Sequence, residues 1–543
     1  MYQGEELWKR ERKLVLEERE GNGRRDRTYR GLPDHLYGAV KKTASGFWEK
    51  TCIVDDDGTR LTFGSFMELV DELADYLSVG MQVRPGDHVA LLMFNCREFC
   101  VAFLALNKLG AMVQPLPSKF KQKEILALLE KADCRLVICE ERFAGWMEPV
   151  RERGTGVLEV KSGPGRYGFA YLLRDFERPA RPVPCRASAD GEAVLIFTSG
   201  TTSKSKGAVL SNFNIMHAVE TYIELLRLTP EDSSIIAVPI YHVTGLIAIL
   251  GVFLCLGGTV YLHRIFNAGR VLECVRENRI TFLHGAPTVF SMLLGEQENF
   301  PELPSLRAFA CGSSNMPKEK IRMLHRWLPG MDFHTVYGLT ETSSPATIFP
   351  GDAAESPYIG SSGLPIPGTV FRVTDEEGRE LPPGETGEIQ VKGSVVLKEY
   401  YEMKTETLSE DGWLATGDLG YFNEEGYIFL VDRKKDIINR GGEKICSYDV
   451  ENELYLFPEI EEAAVVGIPD ELYGESAAAV VKCREGASLT EGDIQELLYE
   501  RIAKYKIPKR VLFVDHLPET PNGKIDKKRI RELFRNQKEE ENL

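Results

Sequence analysis

Ala193-Val194-Leu195-Ile196-Phe197 runs directly into Thr198-Ser199-Gly200-Thr201-Thr202-Ser203-Lys204-Ser205-Lys206-Gly207. The first five residues have the length and apolar character of a buried strand. Of the next ten, six carry hydroxyls, two are glycines and two are lysines. Small residues let backbone N–H groups approach an oxyanion, the hydroxyls add donors, and Lys206 supplies positive charge, so the loop suits pyrophosphate oxygens. It lacks the GxxxxGK[ST] spacing of a Walker loop. On composition alone the same residues make a flexible serine and glycine linker; their position straight after a strand argues for the phosphate reading.

The surroundings of this loop repeat one rhythm. Upstream, His88-Val89-Ala90-Leu91-Leu92-Met93-Phe94 precedes a helix expected over residues 99–109, followed by Ala111-Met112-Val113-Gln114-Pro115. A second helix near residues 124–132 leads into Arg135-Leu136-Val137-Ile138. Beyond the Pro/Arg-rich connector at residues 177–186 and the loop itself, Ile235-Ile236-Ala237-Val238 and Ala308-Phe309-Ala310 continue the pattern between helices. Strands alternating with amphipathic helices predict parallel sheets covered by helices.

From about residue 366 the texture changes to short β segments with charged glycine turns, as in Asp375-Glu376-Glu377-Gly378 and Pro382-Pro383-Gly384-Glu385. The last block has its own mixed pattern, with a helix over 448–456, strands over 462–467 and 477–482, and a helix over 491–505. The predicted fold is therefore α/β: a charged N-terminal arm (1–30), a large domain of doubly wound sheets (31–432) with a β-rich subdomain (about 366–432), and a small, mobile α+β C-terminal domain (433–543). With 543 residues the chain exceeds what one core can hold. The mixed charges of residues 1–30, such as Lys9-Arg10-Glu11-Arg12-Lys13, predict a solvated, partly helical arm and no signal peptide.

A formal charge of −16 argues against general affinity for nucleic acid or anionic membrane. The apolar run over residues 243–262 is broken by Gly257-Gly258, too early for an integral membrane span, and predicts a buried helix followed by a strand. Eleven cysteines without a CxxC pair predict reduced thiols in a cytoplasmic protein.

Five further segments carry chemistry. They are Pro239-Ile240-Tyr241-His242-Val243-Thr244-Gly245, Ala310-Cys311-Gly312-Ser313-Ser314-Asn315-Met316-Pro317, Tyr337-Gly338-Leu339-Thr340-Glu341-Thr342, Trp413-Leu414-Ala415-Thr416-Gly417-Asp418 followed by Asp432-Arg433-Lys434-Lys435-Asp436, and Pro521-Asn522-Gly523-Lys524-Ile525-Asp526. Taken singly each has an ordinary reading: His242 as a core histidine, residues 310–317 as a strand-to-helix turn, Glu341 as a solvated acid, the 432–436 run as a charged loop, Lys524 as a hairpin-tip lysine. In this order, with the Thr198–Gly207 loop, they resemble the acyl-adenylate-forming superfamily of acyl- and aryl-CoA ligases, peptide-synthetase adenylation domains and firefly luciferase. In the family loop, TSGTTGxPKG, a glycine stands where this chain has Ser203 and a proline where it has Ser205.

The resemblance implies a division of labour. Thr198, Ser199, Gly200, Thr201, Thr202 and Lys206 would hold ATP phosphates, while Gly312, Ser313, Ser314 and Tyr337 would face adenine. Asp418 would take the ribose, Arg433 the ribose or a phosphate, Thr340 a phosphate, and Glu341 Mg²⁺. His242 would line the acyl entrance, and Lys524 would reach the substrate carboxylate and α-phosphate. Lys435 would be the hinge for a rotation that brings Gly441 and Gly442, next to Lys444, to the pantetheine tunnel.

The implied activity is ATP-dependent conversion of a carboxylic acid to acyl-AMP, then thioester formation with coenzyme A. Nothing resembles a serine-bearing carrier motif, which favours free coenzyme A; loading of a separate carrier protein is the alternative enzyme, and a non-catalytic nucleotide-binding regulator the alternative class. The segment around Tyr241 and His242 lacks the aspartate that would pair an amino acid's α-amine, so an apolar or aromatic small-molecule acid is expected beside Tyr241, Val243, Leu246 and Ile247. A fatty acid falls within that class. A homodimer is compatible with this reading.

Overall fold

The computed structural model describes residues 1–9, 11, 13–161, 167–198, 205–520 and 524–541. Two large sheets form its centre. The first has seven strands in the order Glu399–Tyr400, Gly207–Ser211, Glu192–Phe197, Met112–Pro115, His88–Leu92, Leu136–Glu140, Gly156–Val160, parallel from Glu192–Phe197 onward. The second has nine strands, of which Thr51–Val54, Thr259–Leu262, Ser233–Ile236, Phe282–Gly285, Ala308–Cys311 and Asp332–Tyr337 are parallel neighbours. Parallel strands need crossovers, and the predicted helices supply them.

Helix Arg97–Leu109 is buried at all thirteen positions, including its charged ones. Buried charges require partners: Arg97 lies 3.2 Å from Glu98, and Lys108 lies 2.9 Å from Asp71. The helix ends at Gly110, whose φ of +71° makes the left-handed cap that favours glycine. The apolar run over 243–262 becomes a π-helix, Thr244–Gly251, a short helix, Val252–Leu256, and the strand Thr259–Leu262. Among the described residues no helix is long and apolar enough to cross a membrane.

The β-rich region is a five-stranded antiparallel sheet of Thr369–Thr374, Gly387–Gly393, Leu414–Phe422 and Ile428–Arg433, with Tyr2–Gln3 on its edge. After residue 433 a separate sheet pairs Ile460–Asp470 with Gly474–Cys483 and carries the helices Ser447–Leu454, Glu491–Tyr499 and Lys527–Glu541. The helix expected over 491–505 stops at Tyr499, and only a single 3₁₀ turn, Lys504–Lys506, follows.

The N-terminal segment corrects the expectation of a solvated arm. Tyr2–Gln3 pairs with Phe371 and Val370, and Trp8 is buried with its indole N–H donating to the Pro365 carbonyl at 3.0 Å. Leu16–Gly21 and Arg24–Tyr29 form a hairpin in which Glu18 faces Arg27, Arg19 faces Asp26 and Glu20 faces Arg25. Its turn is Asn22-Gly23, both with positive φ, the arrangement that matches strand twist in a two-residue hairpin. Arg25 pairs with Glu18 across the hairpin at 2.7 Å, Arg27 with Glu5 at 2.6 Å and Arg19 with Asp34, so the mixed charge that looks like a solvated face serves to pair and anchor this segment.

Candidate functional site

The ends of both parallel sheets open onto one cavity of about 220 Å³. Ile196, Phe197 and Thr198 come from the C-terminal end of one strand; His284, Gly312, Ser313, Val336 and Gly338 come from the corresponding ends of three others. Ligands in open α/β sheets bind at such strand ends. Thr340 and Glu341, on the 3₁₀ turn after strand Asp332–Tyr337, line the same space, as do His242, Val243 and Thr244 at the start of the π-helix. The far wall is built by Thr416, Arg433, Thr520 and Lys524. Lys524 is held at the cavity by two hydrogen bonds to Thr520: its carbonyl accepts from Thr520 N–H at 2.7 Å, and its own N–H donates to Thr520 Oγ1 at 3.2 Å.

The strand ends are closely packed at Gly312. A Cβ on Gly312 would lie 3.0 Å from the Val336 carbonyl oxygen. Beside it Ser313 holds a φ of +75°. Left-handed backbone at a residue other than glycine is uncommon and clusters at functional sites. Ser314 is exposed and is not part of the cavity wall.

Charges converge on the cavity from both sides. The Tyr337 hydroxyl donates to Asp418 Oδ2 at 2.8 Å, and Arg433 Nε lies 3.2 Å from Asp418 Oδ1. Burial raises the Asp418 carboxyl, against the Arg433 guanidinium that favours its charged form. Burial also raises Glu341, which accepts from the Tyr400 hydroxyl at 3.2 Å and feels the cations Arg433 and Lys206. Lys206 itself donates to Thr407 Oγ1 at 3.2 Å and stands 5.0 Å from the Tyr400 ring centre. Burial, then the neighbouring Arg433, pulls the Lys524 ammonium down to about 8, while Asp418 and Glu341 hold it up. His242 is brought down to about 3 by burial, with Lys524 and His284 adding to the shift. It is therefore neutral at pH 7, hydrogen-bonded through Nδ1 to Thr244 Oγ1 at 3.2 Å.

Residues suited to Mg²⁺ are present in the form its chemistry favours. Among the described residues there is no group of three or more His, Cys, Asp or Glu that could cage an ion. Glu341 is one partly buried carboxylate at the cavity, raised by burial. A hard cation that arrives with phosphates keeps most of its shell as water and phosphate oxygen and needs one or two carboxylates from the protein. Glu341 fits that need.

The structure thus gathers Thr198, His242, Gly312, Ser313, Thr340, Glu341, Arg433 and Lys524 around one space, with Tyr337 and Asp418 bonded just behind it. Ser199, Gly200, Thr201 and Thr202 lie outside the described residues. Gly441 and Gly442 sit elsewhere, in the turn between Ile438–Arg440 and Glu443–Ile445, where Gly441 N–H donates to the Tyr473 carbonyl at 2.8 Å. Lys444, next to them, lies 3.6 Å from Glu376 of the β-rich region. Lys435 is exposed in the connection that follows strand Ile428–Arg433. Of the apolar residues expected beside the acid, only Val243 lines the cavity; Leu246 and Ile247 are buried in the main core, and Tyr241 is buried without reaching the wall. The sequence reading missed Thr244, His284, Ser344, Thr416 and Thr520, which also line it. Thr244 and Thr416 lie inside the motif segments and Thr520 directly before one, whereas His284 and Ser344 belong to no motif and meet the site only through strand adjacency.

Residues 40–401 match the AMP-binding enzyme family model, and residues 449–524 match the model of the AMP-binding enzyme C-terminal domain. A feruloyl-CoA synthase of an Amycolatopsis species is 34% identical over 483 residues, 88% of this chain and 94% of that protein. The indoleacetate–CoA ligase of Aromatoleum aromaticum is 34% identical over 479 residues, 87% of this chain and 93% of that protein. Among solved structures, ATP-bound MatB from Rhodopseudomonas palustris superposes with a TM-score of 0.84 at 30% identity, covering 92% of this chain and 98% of that one.

Proposed function

Since this chain belongs to the AMP-binding enzymes, we propose that it activates an apolar or aromatic carboxylic acid with the residues gathered at the strand-end cavity. The reaction is that of an AMP-forming acid–thiol ligase: ATP and the acid give acyl-AMP and pyrophosphate, and coenzyme A then takes the acyl group as a thioester. The aromatic preference rests on the acids named for the two relatives, ferulate and indoleacetate. The eleven free thiols fit a cytoplasmic setting.

One observation carries the residue assignment: Lys524, from the C-terminal region, stands in the same cavity as Thr340, Glu341 and Arg433 from the large domain. Carboxylate oxygen is a poor leaving group, so the acid must first become an anhydride. Its oxygen attacks the α-phosphorus of ATP, the bond to the bridging oxygen of pyrophosphate breaks, and negative charge gathers on the phosphoryl oxygens. Lys524 neutralises the incoming carboxylate and the α-phosphate together, and Thr340 donates to a phosphate oxygen. Arg433 and Asp418 orient the ribose; their mutual bond and the Tyr337 hydroxyl satisfy these groups while no ribose is bound. Glu341 would hold Mg²⁺, which supplies charge neutralisation at the phosphates. His242, neutral, walls off the acyl side without adding a charge. Thr198 and Lys206 flank the phosphate end.

The test is pyrophosphate release over a panel of fatty acids, benzoates, phenylacetates, cinnamates and bile acids, with and without coenzyme A. Lys524→Ala is expected to abolish acid-dependent ATP–pyrophosphate exchange while sparing thioester formation from supplied acyl adenylate. Equal loss of both half-reactions would remove Lys524 from the adenylation step.

A further inference from the structure

We propose that Tyr400 is a positioning residue for adenylation: it stands between Glu341 and Lys206, so that the carboxylate is kept for Mg²⁺ and the ammonium for the phosphates. The proposal rests on the adenylation reading and deepens its metal half. Tyr400 ends the two-residue strand Glu399–Tyr400, which pairs antiparallel with strand Gly207–Ser211 directly after the phosphate loop. Backbone bonds beside it tie three pieces together. Tyr401 N–H donates to the Gly207 carbonyl at 2.8 Å, and Leu397 N–H donates to the Glu341 carbonyl at 2.7 Å. The short strand thus joins the end of the loop to the 3₁₀ turn Thr340–Thr342, which follows a strand of the other large sheet.

The side chain repeats that link between charges. Tyr400 is buried, and its hydroxyl donates to Glu341 Oε1 at 3.2 Å. Lys206 Nζ lies 5.0 Å from the centre of the same ring and donates to Thr407 Oγ1 at 3.2 Å. Thr407 is fixed in turn by Thr405, their hydroxyl oxygens 2.6 Å apart. A buried tyrosine needs a partner for its hydroxyl in any setting. Packing alone does not require that the ring also carry the lysine of the phosphate loop.

Lys206 is near enough to favour the charged form of Glu341. A direct ion pair between them would cancel both charges and leave less of each for a metal and a phosphate. The observed partners are neutral. A hydroxyl on the carboxylate and a ring face with a threonine on the ammonium leave both charges in place. Carboxylates that hold metals are themselves commonly oriented by such a hydrogen bond. Glu341 lines the cavity, whereas Tyr400 acts on it from behind the wall.

The experiment measures binding of the α,β-methylene analogue of ATP by isothermal titration calorimetry, once with Mg²⁺ and once with EDTA. The ratio of the two affinities is the contribution of the metal, and in the wild-type enzyme Mg²⁺ is expected to tighten binding. Tyr400→Phe keeps the ring beside Lys206 and removes the hydroxyl from Glu341. It is expected to cut the ratio about tenfold, as loss of a metal ligand's hydrogen-bond partner does, while the EDTA affinity stays within about twofold. In a Glu341→Gln background the same substitution is expected to leave the ratio unchanged, which a general loosening of the site would not do. Thr407→Val frees the ammonium toward Glu341 and is expected to lower the ratio about threefold; this variant decides the matter where Tyr400→Phe does not fold. An unchanged ratio, or equal weakening with Mg²⁺ and with EDTA, overturns the proposal and leaves adenylation standing. Wild-type binding that Mg²⁺ does not tighten removes Glu341 as a metal ligand and the proposal with it. Absence of nucleotide binding under both conditions overturns the adenylation reading itself.

Discussion

Lys524 shows what a single residue's surroundings do to its chemistry. With the ammonium brought down to about 8 from an ordinary value near 10.4, its charge persists at pH 7 at a cost to the empty site. That cost is fully present below about 8 and is relieved as pH rises towards the unfolded value, because between the two the unfolded chain binds more protons. Activity runs the other way, since the proposed step needs the cation. The adenylation kcat/KM is therefore expected to fall as pH rises through about 8, with the limb absent in Lys524→Arg, which keeps its charge. Bound ATP and acid are anionic and should move the limb in kcat to higher pH. A pH profile of pyrophosphate exchange for both enzymes checks this, and an unchanged limb in the arginine variant would assign it to another group. At this scale the site was legible where a residue sits in a contiguous motif, as Lys524, Thr340 and Glu341 do. His284 and Ser344 were not, because what brings them to the cavity is the order of strands in a sheet.

At the level of elements, the parallel strands were legible because burial on both faces makes a strand an unbroken apolar run. The N-terminal elements were hidden for the opposite reason. The hairpin Leu16–Gly21/Arg24–Tyr29 is closed by the Asn22-Gly23 turn and the Glu18–Arg25 ion pair, while Arg19 and Arg27 tie it to Asp34 and Glu5, so its alternation is of sign and not of polarity. What anchors this segment to the fold is Trp8, which is 3% exposed and hydrogen-bonded to Pro365. Truncating a fully packed tryptophan leaves a cavity, so Trp8→Ala is expected to cost about 3 to 5 kcal/mol. Differential scanning calorimetry should show it as a lower Tm, whereas a solvated arm would give no shift. The neighbouring strand Thr369–Thr374 loses its edge partner when Tyr2–Gln3 is displaced, so the loss should fall on the β-rich region that supplies Asp418 and Arg433.

For the whole molecule, the question is what holds the C-terminal region in the orientation that puts Lys524 into the cavity, and how it leaves. One contact across that boundary is unusual. Lys320, on helix Lys318–Trp327, is 7% exposed, donates to Ser291 Oγ at 2.7 Å and stands 4.7 Å from the ring centre of Tyr455. Tyr455 is fixed within its own region, its hydroxyl accepting from Ala463 N–H at 3.1 Å. The attraction of an ammonium for a desolvated ring is worth about 2 kcal/mol at most. Against it, burial brings Lys320 down to about 8, with Glu462 across the boundary favouring its charge. Lys320→Met removes the buried charge together with the ring contact and is expected to strengthen this orientation. If the second half-reaction requires the rotation about Lys435 that the family resemblance implies, the variant should transfer the acyl group from supplied acyl adenylate to coenzyme A about tenfold more slowly while keeping pyrophosphate exchange near the wild-type rate. Slowing of exchange instead would mean that the ring contact wins and that Lys320 is a clasp; unchanged rates in both half-reactions would mean that this boundary does not govern the rotation.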